Sequence, residues 1–268
     1  MSTPTLHETL AVAVAAELRP DDVGFTGLTT GGSAAMFGTM IPLAGMELAR
    51  HLHAPDLVSL LAGWCHNPTL RDLAEVPGSE FDPALLRLSC DNLDMGWPPT
   101  MSLKRGDVTV GFSTAAQVDR QLNVNTTRIG TPEETKVALV GPILIPEHFA
   151  LFGREIVMLP RHDTRTLVER VDHISGVGFP GGRKGRESLS LLGAGPALVI
   201  TPLCIIDVGA DGLPFVRSIH RGVTREQVRA STGFDIDIPA DVATTPEPSA
   251  EDLAVLRAEV DPHGLLRR

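Results

Sequence analysis

Leu6, Leu10, Val14 and Leu18 recur every four residues behind Thr5 and Glu8, which stand at capping-box spacing. This spacing predicts an amphipathic helix that begins after Thr5 and is stopped by Pro20 and the two aspartates that follow. The pattern then changes to short apolar runs at residues 57–61, 108–112, 137–140, 156–159 and 197–200. Such runs read as strands buried on both faces, and several intervals are long enough for a crossover helix. Together they predict an α/β protein with an open, largely parallel sheet and flanking helices. Thr224 and Gln227 repeat the capping-box spacing, with Gly233 placed to end that helix at C′. "IPADVATTPEPSAED" then reads as a proline-punctuated tether, and Ser249 as the cap of a last short helix carrying Leu253 and Leu256 and ending near Pro262. The expected division is an α/β domain over residues 1–240 and a C-terminal tether and helix over 241–268, packed on the domain or on a partner. The unusual stretch is "GFTGLTTGGSAAMFGTM", residues 24–40. It matches neither G-x-G-x-x-G nor the P-loop, so it reads as a flexible structural loop rather than a phosphate cradle.

Composition narrows the function. The 268 residues are 43% hydrophobic and 21% charged, ordinary for a folded globular chain. A formal charge of −10 with no Lys/Arg run argues against nucleic acid as a partner. No apolar run reaches membrane-spanning length and no secretory signal pattern opens the chain, so the expected location is cytoplasmic. Cys65, Cys90 and Cys204 are odd in number and widely spaced, which suits free thiols rather than a disulfide framework. The nine histidines show no metal-binding spacing, so no metal is expected.

From residue 111 the chain reads "GFSTAAQVDRQLNVNTTRIG", then "KVALVGPILIP", "LVERVDHISGVGFPGGRKGRESL" and "GPALVITPLCIIDV". In this order the segments resemble the β subunits of family I CoA-transferases, particularly the glutaconate type and its relatives in actinobacterial steroid-ring degradation. The register extends back to "LARHLHAPDLV" and forward through "HRGVTREQVRASTGFDIDIP" and "LRAEVDPHGL". The resemblance implies the open α/β CoA-transferase fold, of the NagB/RpiA-like kind. It also implies an α-type partner subunit in a heterodimer or heterotetramer, and a coenzyme A thioester as substrate with no permanently bound cofactor. In transferases of this family a β-subunit glutamate attacks the thioester, beside donors that stabilise the oxyanion.

Two places depart from the pattern. In "LLAGWCHNP", residues 60–68, the family's glutamate falls on Leu61 or Ala62 according to how the neighbouring glycine is aligned, and neither is a nucleophile. At "VGPILIP", Ile143 and Leu144 stand where many transferases have two glycines, which implies a reshaped loop. The glycine-rich stretch around residues 28–39 also looks like an insertion. Candidates for the acyl-CoA pocket are Trp64, Cys65 and His66 just past the lost glutamate, Gln117, Asn123 and Asn125 in the best-matching segment, and Gly141, Ser175 and Gly178. Arg183, Lys184 and Arg186 are candidates for the CoA phosphates. Asp119 reads as satisfying turn amides. As a covalent dyad Cys65 and His66 are disfavoured, because neighbours on a strand point to opposite faces. Glu75 and Glu80 are the nearest downstream carboxylates, in what reads as a solvated helix end. Three functions remain open: acyl-CoA chemistry such as hydrolytic C–C or ring cleavage with the carboxylate from the α subunit, conventional CoA transfer between carboxylic acids, and a catalytically silent structural subunit.

Overall fold

The structure, a computed structural model, describes residues 3–29, 31–78, 82–93 and 106–268. The chain divides into two compact units, one of residues 1–103, 107–112 and 246–268, the other of residues 104–106 and 113–245. The tail from Pro246 clusters with the first unit.

The first unit opens on helix α1 (Leu6–Ala16), whose capping box forms as predicted: Glu8 N donates to Thr5 Oγ1 at 3.2 Å and Thr5 N to Glu8 Oε2 at 2.9 Å. Leu10, Val14 and Leu18 are buried, while Leu6 at the first turn stays 37% exposed. Helix α1 packs on α3 (Ile41–Leu52) at Gly45, where a Cβ would stand 2.4 Å from Val14 Cγ1, so only glycine allows the approach. Five strands follow the order β4–β3–β2–β1–β5: β1 (Val23–Thr26), β2 (Val58–Leu61), β3 (Cys65–His66), β4 (Asn92–Leu93) and β5 (Val110–Ser113). Strands β2, β1 and β5 are parallel, with Thr26 opposite both Leu61 and Phe112, and β3 and β4 add antiparallel pairs. Because β1 lies between β2 and β5, the winding direction switches at β1, and in open α/β sheets ligands bind beyond the carboxyl ends of strands at such a point.

The glycine-rich stretch is a correction. Instead of a loop to residue 40, the chain turns through Gly31 and Gly32, both at positive φ, into α2 (Gly32–Ala35), a π-helical turn (Met36–Met40) and α3 without a break. Phe37 and Met40 are buried and supply the apolar anchors that the glycine and threonine content obscured.

The second unit carries β10 (Arg154–Met158), β12 (Pro196–Ile200), β13 (Cys204–Val208), β14 (Pro214–Ile219) and β15 (Ala243–Thr244) in that spatial order. The β10–β12 and β14–β15 pairs are parallel and β12–β13–β14 antiparallel. Part of the expected tether is therefore a strand. Helices α4 (Ile145–Leu151), α5 (Gly182–Glu187) and α6 (Arg225–Ser231) accompany it, and α6 has the predicted capping box. Gly233 does not use positive φ: its N donates to Leu167 O at 2.8 Å, and a Cβ would lie 2.3 Å from that oxygen, so glycine serves close approach instead. A three-stranded sheet joins β6 (Gln117–Asp119) to β11 (Leu167–Val168) and β7 (Val124–Asn125). The run at 137–140 corrects another expectation. Strands β8 (Arg128–Gly130) and β9 (Thr135–Ala138) form an antiparallel arm, β9 is exposed throughout, and Val137 and Val140 are 50% and 76% exposed.

The tail folds into α7 (Ala250–Val255), capped by Ser249, a π-helical turn (Leu256–Val260) and a last 3-10 turn (Leu265–Arg267). Arg257 clamps the buried Glu8 carboxylate with Nε and Nη2 at 2.7 and 2.8 Å, and Thr5 Oγ1 donates to Leu266 O at 2.7 Å. Parallel strand pairs with flanking helices in both units meet the α/β expectation. Among the described residues no helix is long and apolar enough to cross a membrane.

Candidate functional site

At the carboxyl end of β2 the chain turns back through Ala62, Gly63 and Trp64, so that Leu61 pairs with Cys65. Ala62 (φ 52°) and Gly63 (φ 76°) are both left-handed, and Ala62 N donates to Thr26 O at 2.8 Å, holding the turn against the end of β1. A left-handed alanine costs roughly 1–2 kcal/mol, so this backbone is imposed by its surroundings rather than chosen locally. The Leu61 side chain is fully buried. Whether the family's glutamate corresponds to Leu61 or Ala62, the turn presents no carboxylate. Trp64 and His66 are half-buried and Cys65 is buried, in the alternation that sets Cys65 and His66 on opposite faces.

Beside this turn, Thr26 and Thr39 bind the segment after β1 to the π-helical turn. Thr26 Oγ1 donates to Gly38 O at 2.7 Å, Thr39 Oγ1 donates to Gly27 O at 2.8 Å, and Thr29 N donates to Thr39 Oγ1 at 3.0 Å. π-Helical turns recur at functional sites. Of the downstream carboxylates, Glu75 is exposed and Glu80 lies outside the described residues.

In the second unit the structure brings Gln117, Asn125 and Ser175 together with Asp172. Asn125 Nδ2 donates to Gln117 Oε1 (2.8 Å) and Arg128 O (2.6 Å), while its Oδ1 accepts from Thr127 N and Arg128 N. Gln117 Oε1 also accepts from Asp172 N (3.0 Å), and Gln117 Nε2 donates to Asp172 Oδ2, which accepts from Gly130 N as well. Ser175 Oγ accepts from Thr126 N and shares a 2.8 Å hydrogen bond with Thr127 Oγ1. These amides are therefore occupied with protein: they knot the base of the β8–β9 arm to β6 and β7. Asp119, as expected, accepts from the Gln121 and Asn123 amides, and Asn123 Oδ1 accepts from Gly178 N at 2.9 Å. A Cβ on Gly178 would lie 2.2 Å from Gln121 O, so this glycine serves packing.

Around the knot, two groups invisible to sequence reasoning keep unused capacity: Arg128 Nε and Thr126 Oγ1 are buried without hydrogen-bond partners. His173, half-buried, is held below the usual imidazole range by burial and by the Arg128 charge. Gly141 (φ 92°) has open space where a side chain would be, and its N donates to Thr126 O. Ile143 is left-handed too (φ 36°) and 74% exposed, a conformation β-branched residues avoid. Ile143 thus holds backbone geometry that favours glycine. Leu144 caps α4.

The basic loop divides. Arg186 is buried, and its Nη1 and Nη2 donate to Val177 O, Gly178 O, Phe149 O and Gly193 O. This guanidinium braces backbone and is not offered to a phosphate, which corrects its place among the phosphate candidates. Arg183 donates to Ala210 O and Gly209 O and lies over the Phe179 ring, whereas Lys184 is exposed. A cleft of about 1140 Å³, lined by Phe179, Gly182, Asp211, Phe215 and Arg229 among others, opens beside this loop and includes none of the Gln117–Asn125 knot.

Parallel α/β strands around a switch point, a strained turn at the carboxyl end of β2 and a polar knot on β6 and β7 define a protein of the CoA-transferase fold. Across 98% of the chain, and 97% of the other, the backbone matches glutaconate coenzyme A-transferase from Acidaminococcus fermentans with a TM-score of 0.80 at 25% identity. The chain belongs to the family of CoA-transferase β subunits: it is 34% identical to the β subunit of 3-oxoadipate CoA-transferase from Pseudomonas knackmussii over 96% of this chain and 94% of that one. It is also 27% identical to the cholesterol ring-cleaving hydrolase IpdB subunit of Mycobacterium tuberculosis, over 86% of this chain and 88% of the relative. No protein-family model matches the chain.

Proposed function

We propose that this chain is the β-type subunit of a heteromer that acts on an acyl-CoA by chemistry other than glutamyl-CoA transfer, such as hydrolytic C–C or ring cleavage, with the carboxylate supplied by an α-type subunit. The observation that carries this reading is the turn after β2, which has the strained geometry of a built site yet presents Ala62 and a buried Leu61 in place of a carboxylate. An acyl-CoA reaction that runs through this site needs an acid/base group from elsewhere. The likeness to IpdB, a subunit of a ring-cleaving hydrolase, supports the same direction.

In this reading Trp64, Cys65 and His66 flank the acyl site beside the turn. Within the second unit, Gln117, Asn123, Asn125, Ser175 and Gly178 act indirectly, by holding the backbone around Gly141 and Arg128. Arg128, with its unspent buried Nε, is the cation this arrangement offers to a carboxylate or thioester oxygen. Arg183 and Lys184 are the remaining candidates for the CoA phosphates. The cytoplasmic setting belongs to the same reading and agrees with three thiols held free.

Conventional CoA transfer is the second reading, favoured by the 34% identity to the 3-oxoadipate CoA-transferase β subunit. Trapping separates the two. The complex of this chain with its α-type partner is given acyl-CoA and then hydroxylamine or borohydride, and each chain is mapped by mass spectrometry. The expected result is turnover only when both chains are present, with no modified glutamate in this chain. A tagged Glu75 or Glu80 peptide would establish conventional transfer instead.

A further inference from the structure

The hairpin that carries the left-handed Ala62 is short. Leu61 pairs with Cys65 and Leu60 with His66, and β3 then ends, so the ladder itself supplies two pairs. A third is built with a side chain. Asn67 N donates to Ser59 O at 2.7 Å, as a continued strand would, but the return bond from Ser59 N goes to Asn67 Oδ1, also at 2.7 Å. The Asn67 backbone is left-handed (φ 51°), which ends β3, and the side-chain oxygen stands in for a strand carbonyl. Ser59 is buried, so its N–H depends on this oxygen, and its hydroxyl lies 3.3 Å from the same Oδ1. The other end of the amide is spent too. Asn67 Nδ2 donates to Asp91 Oδ2 at 2.6 Å, just ahead of β4, where Asp91 N donates to His66 O at 3.0 Å. Arg50 Nη2 stands 4.0 Å from that carboxylate oxygen. Asn67 therefore staples β2 to the start of β4 across β3. Pro68 follows, and a residue before proline prefers extended backbone, so these bonds rather than local preference hold the left-handed state.

We propose that Asn67 is a positioning residue for the acyl-CoA site: it fixes the register of the β2–β3 hairpin and so holds the turn through Ala62, Gly63 and Trp64 in its strained form. The inference rests on the reading of that turn as part of the acyl-CoA site. Without the Ser59–Asn67 pair, two pairs are left to bear a left-handed alanine. A slip of one residue would turn the buried Leu61 outward and put another residue in the left-handed place. The side chain at this position meets three demands at once: it tolerates positive φ, accepts from Ser59 N and donates to a carboxylate. Glycine would meet the first alone. Aspartate would meet the first two while setting a second negative charge against Asp91. Asparagine meets all three.

The test compares Asn67→Gly, Asn67→Asp and the exchanged pair Asn67→Asp with Asp91→Asn, which keeps an acceptor for Ser59 N and restores a donor–acceptor contact between the two side chains. Hydrogen exchange of the full-length chain, free and in complex with its α-type partner, reads the Ala62 amide, whose bond to Thr26 O reports the turn. In Asn67→Gly and Asn67→Asp that amide is expected to exchange roughly 10-fold faster, the equivalent of one buried amide losing its partner, while α1 and α3 keep their protection. Turnover by the complex is followed on a thioester that the unmutated complex accepts, from a panel headed by acetoacetyl-CoA. There kcat should fall about 10- to 100-fold with KM little changed, because the turn is displaced rather than removed. The exchanged pair should return both readouts toward the unmutated values. Unchanged Ala62 exchange in Asn67→Gly would overturn the proposal, as would unchanged kcat beside raised exchange. So would an exchanged pair that behaves no better than Asn67→Asp alone, a comparison that stays decisive where Asn67→Gly fails to fold. A complex inert toward the whole panel would count against the acyl-CoA reading, with exchange at Ala62 still deciding what Asn67 does.

Discussion

Asn125 shows how a residue that matches a family pattern can act without touching a ligand. All four of its side-chain hydrogen bonds go to protein, three of them to the Thr127–Arg128 segment at the start of β8. Truncating it takes a partner from the Thr127 and Arg128 amides and from the Arg128 carbonyl, each worth about 1–3 kcal/mol when left unpaired. Asn125→Ala is therefore expected to destabilise the second unit by roughly 2–4 kcal/mol, counting two such groups. Gln117→Ala, which forfeits fewer bonds, should cost less. Hydrogen exchange of residues 128–138 is the check, because loss of the knot should raise exchange in the arm before the unit as a whole unfolds. From the chain alone these residues were legible as important and their partners were not: Asp172 lies 55 residues from Gln117, and the bond depends on β6 and β11 meeting. Arg128 and Thr126 gave no signal at all, since an unpaired buried donor is visible only once its surroundings exist.

Among the elements, helix caps were the most legible, because they are written within four residues. The boxes at Thr5, Thr224 and Ser249 all form. Apolar runs were less reliable. The segment at 137–140 has the composition of a buried strand yet lies exposed on the β8–β9 arm, whereas "GGSAAMFGTM" has the composition of a loop yet folds as buried helix. In both cases the side chains' setting, not their hydrophobicity, decides the outcome. The tail gives an element-scale prediction. Glu8 is buried and its carboxyl faces a cost from burial that is outweighed by Arg257 and the Thr5 amide, holding it below the usual carboxylate range. Arg257→Met should then cost about 3–5 kcal/mol by leaving that carboxylate without its partner. The double variant Glu8→Met with Arg257→Met should recover much of the loss. Urea unfolding of both variants measures the difference.

At the scale of the whole molecule, two buried groups give the two units opposite responses to pH. In the first unit, burial raises the Glu47 carboxyl to about 7 although it accepts from Leu70 N at 2.8 Å. A group raised from an ordinary 4.5 contributes stability that is whole below that value and is lost as pH rises through about 7. In the second unit, burial lowers His162, wedged between Thr201 Oγ1 and Thr232 Oγ1, to about 4. Its contribution is whole above 6.5 and is lost as pH falls toward 4. Glu47→Gln, which keeps the acceptor for Leu70 N, should therefore stabilise the first unit at pH 8 relative to pH 5, by up to about 3 kcal/mol. Exchange rates read separately in the two units at both pH values check the sign.

The sequence by itself determined the helix caps, the α/β class, the family resemblance and the absence of a carboxylate at Leu61 and Ala62, because each is carried by residue identity or by contacts a few positions apart. Only the tertiary structure decided that Ala62 is left-handed, that Arg186 is spent on carbonyls and that Arg257 reaches Glu8. Those facts depend on segments distant in sequence being pressed together, where burial removes water as the alternative partner and makes one particular arrangement of donors and acceptors the favourable one.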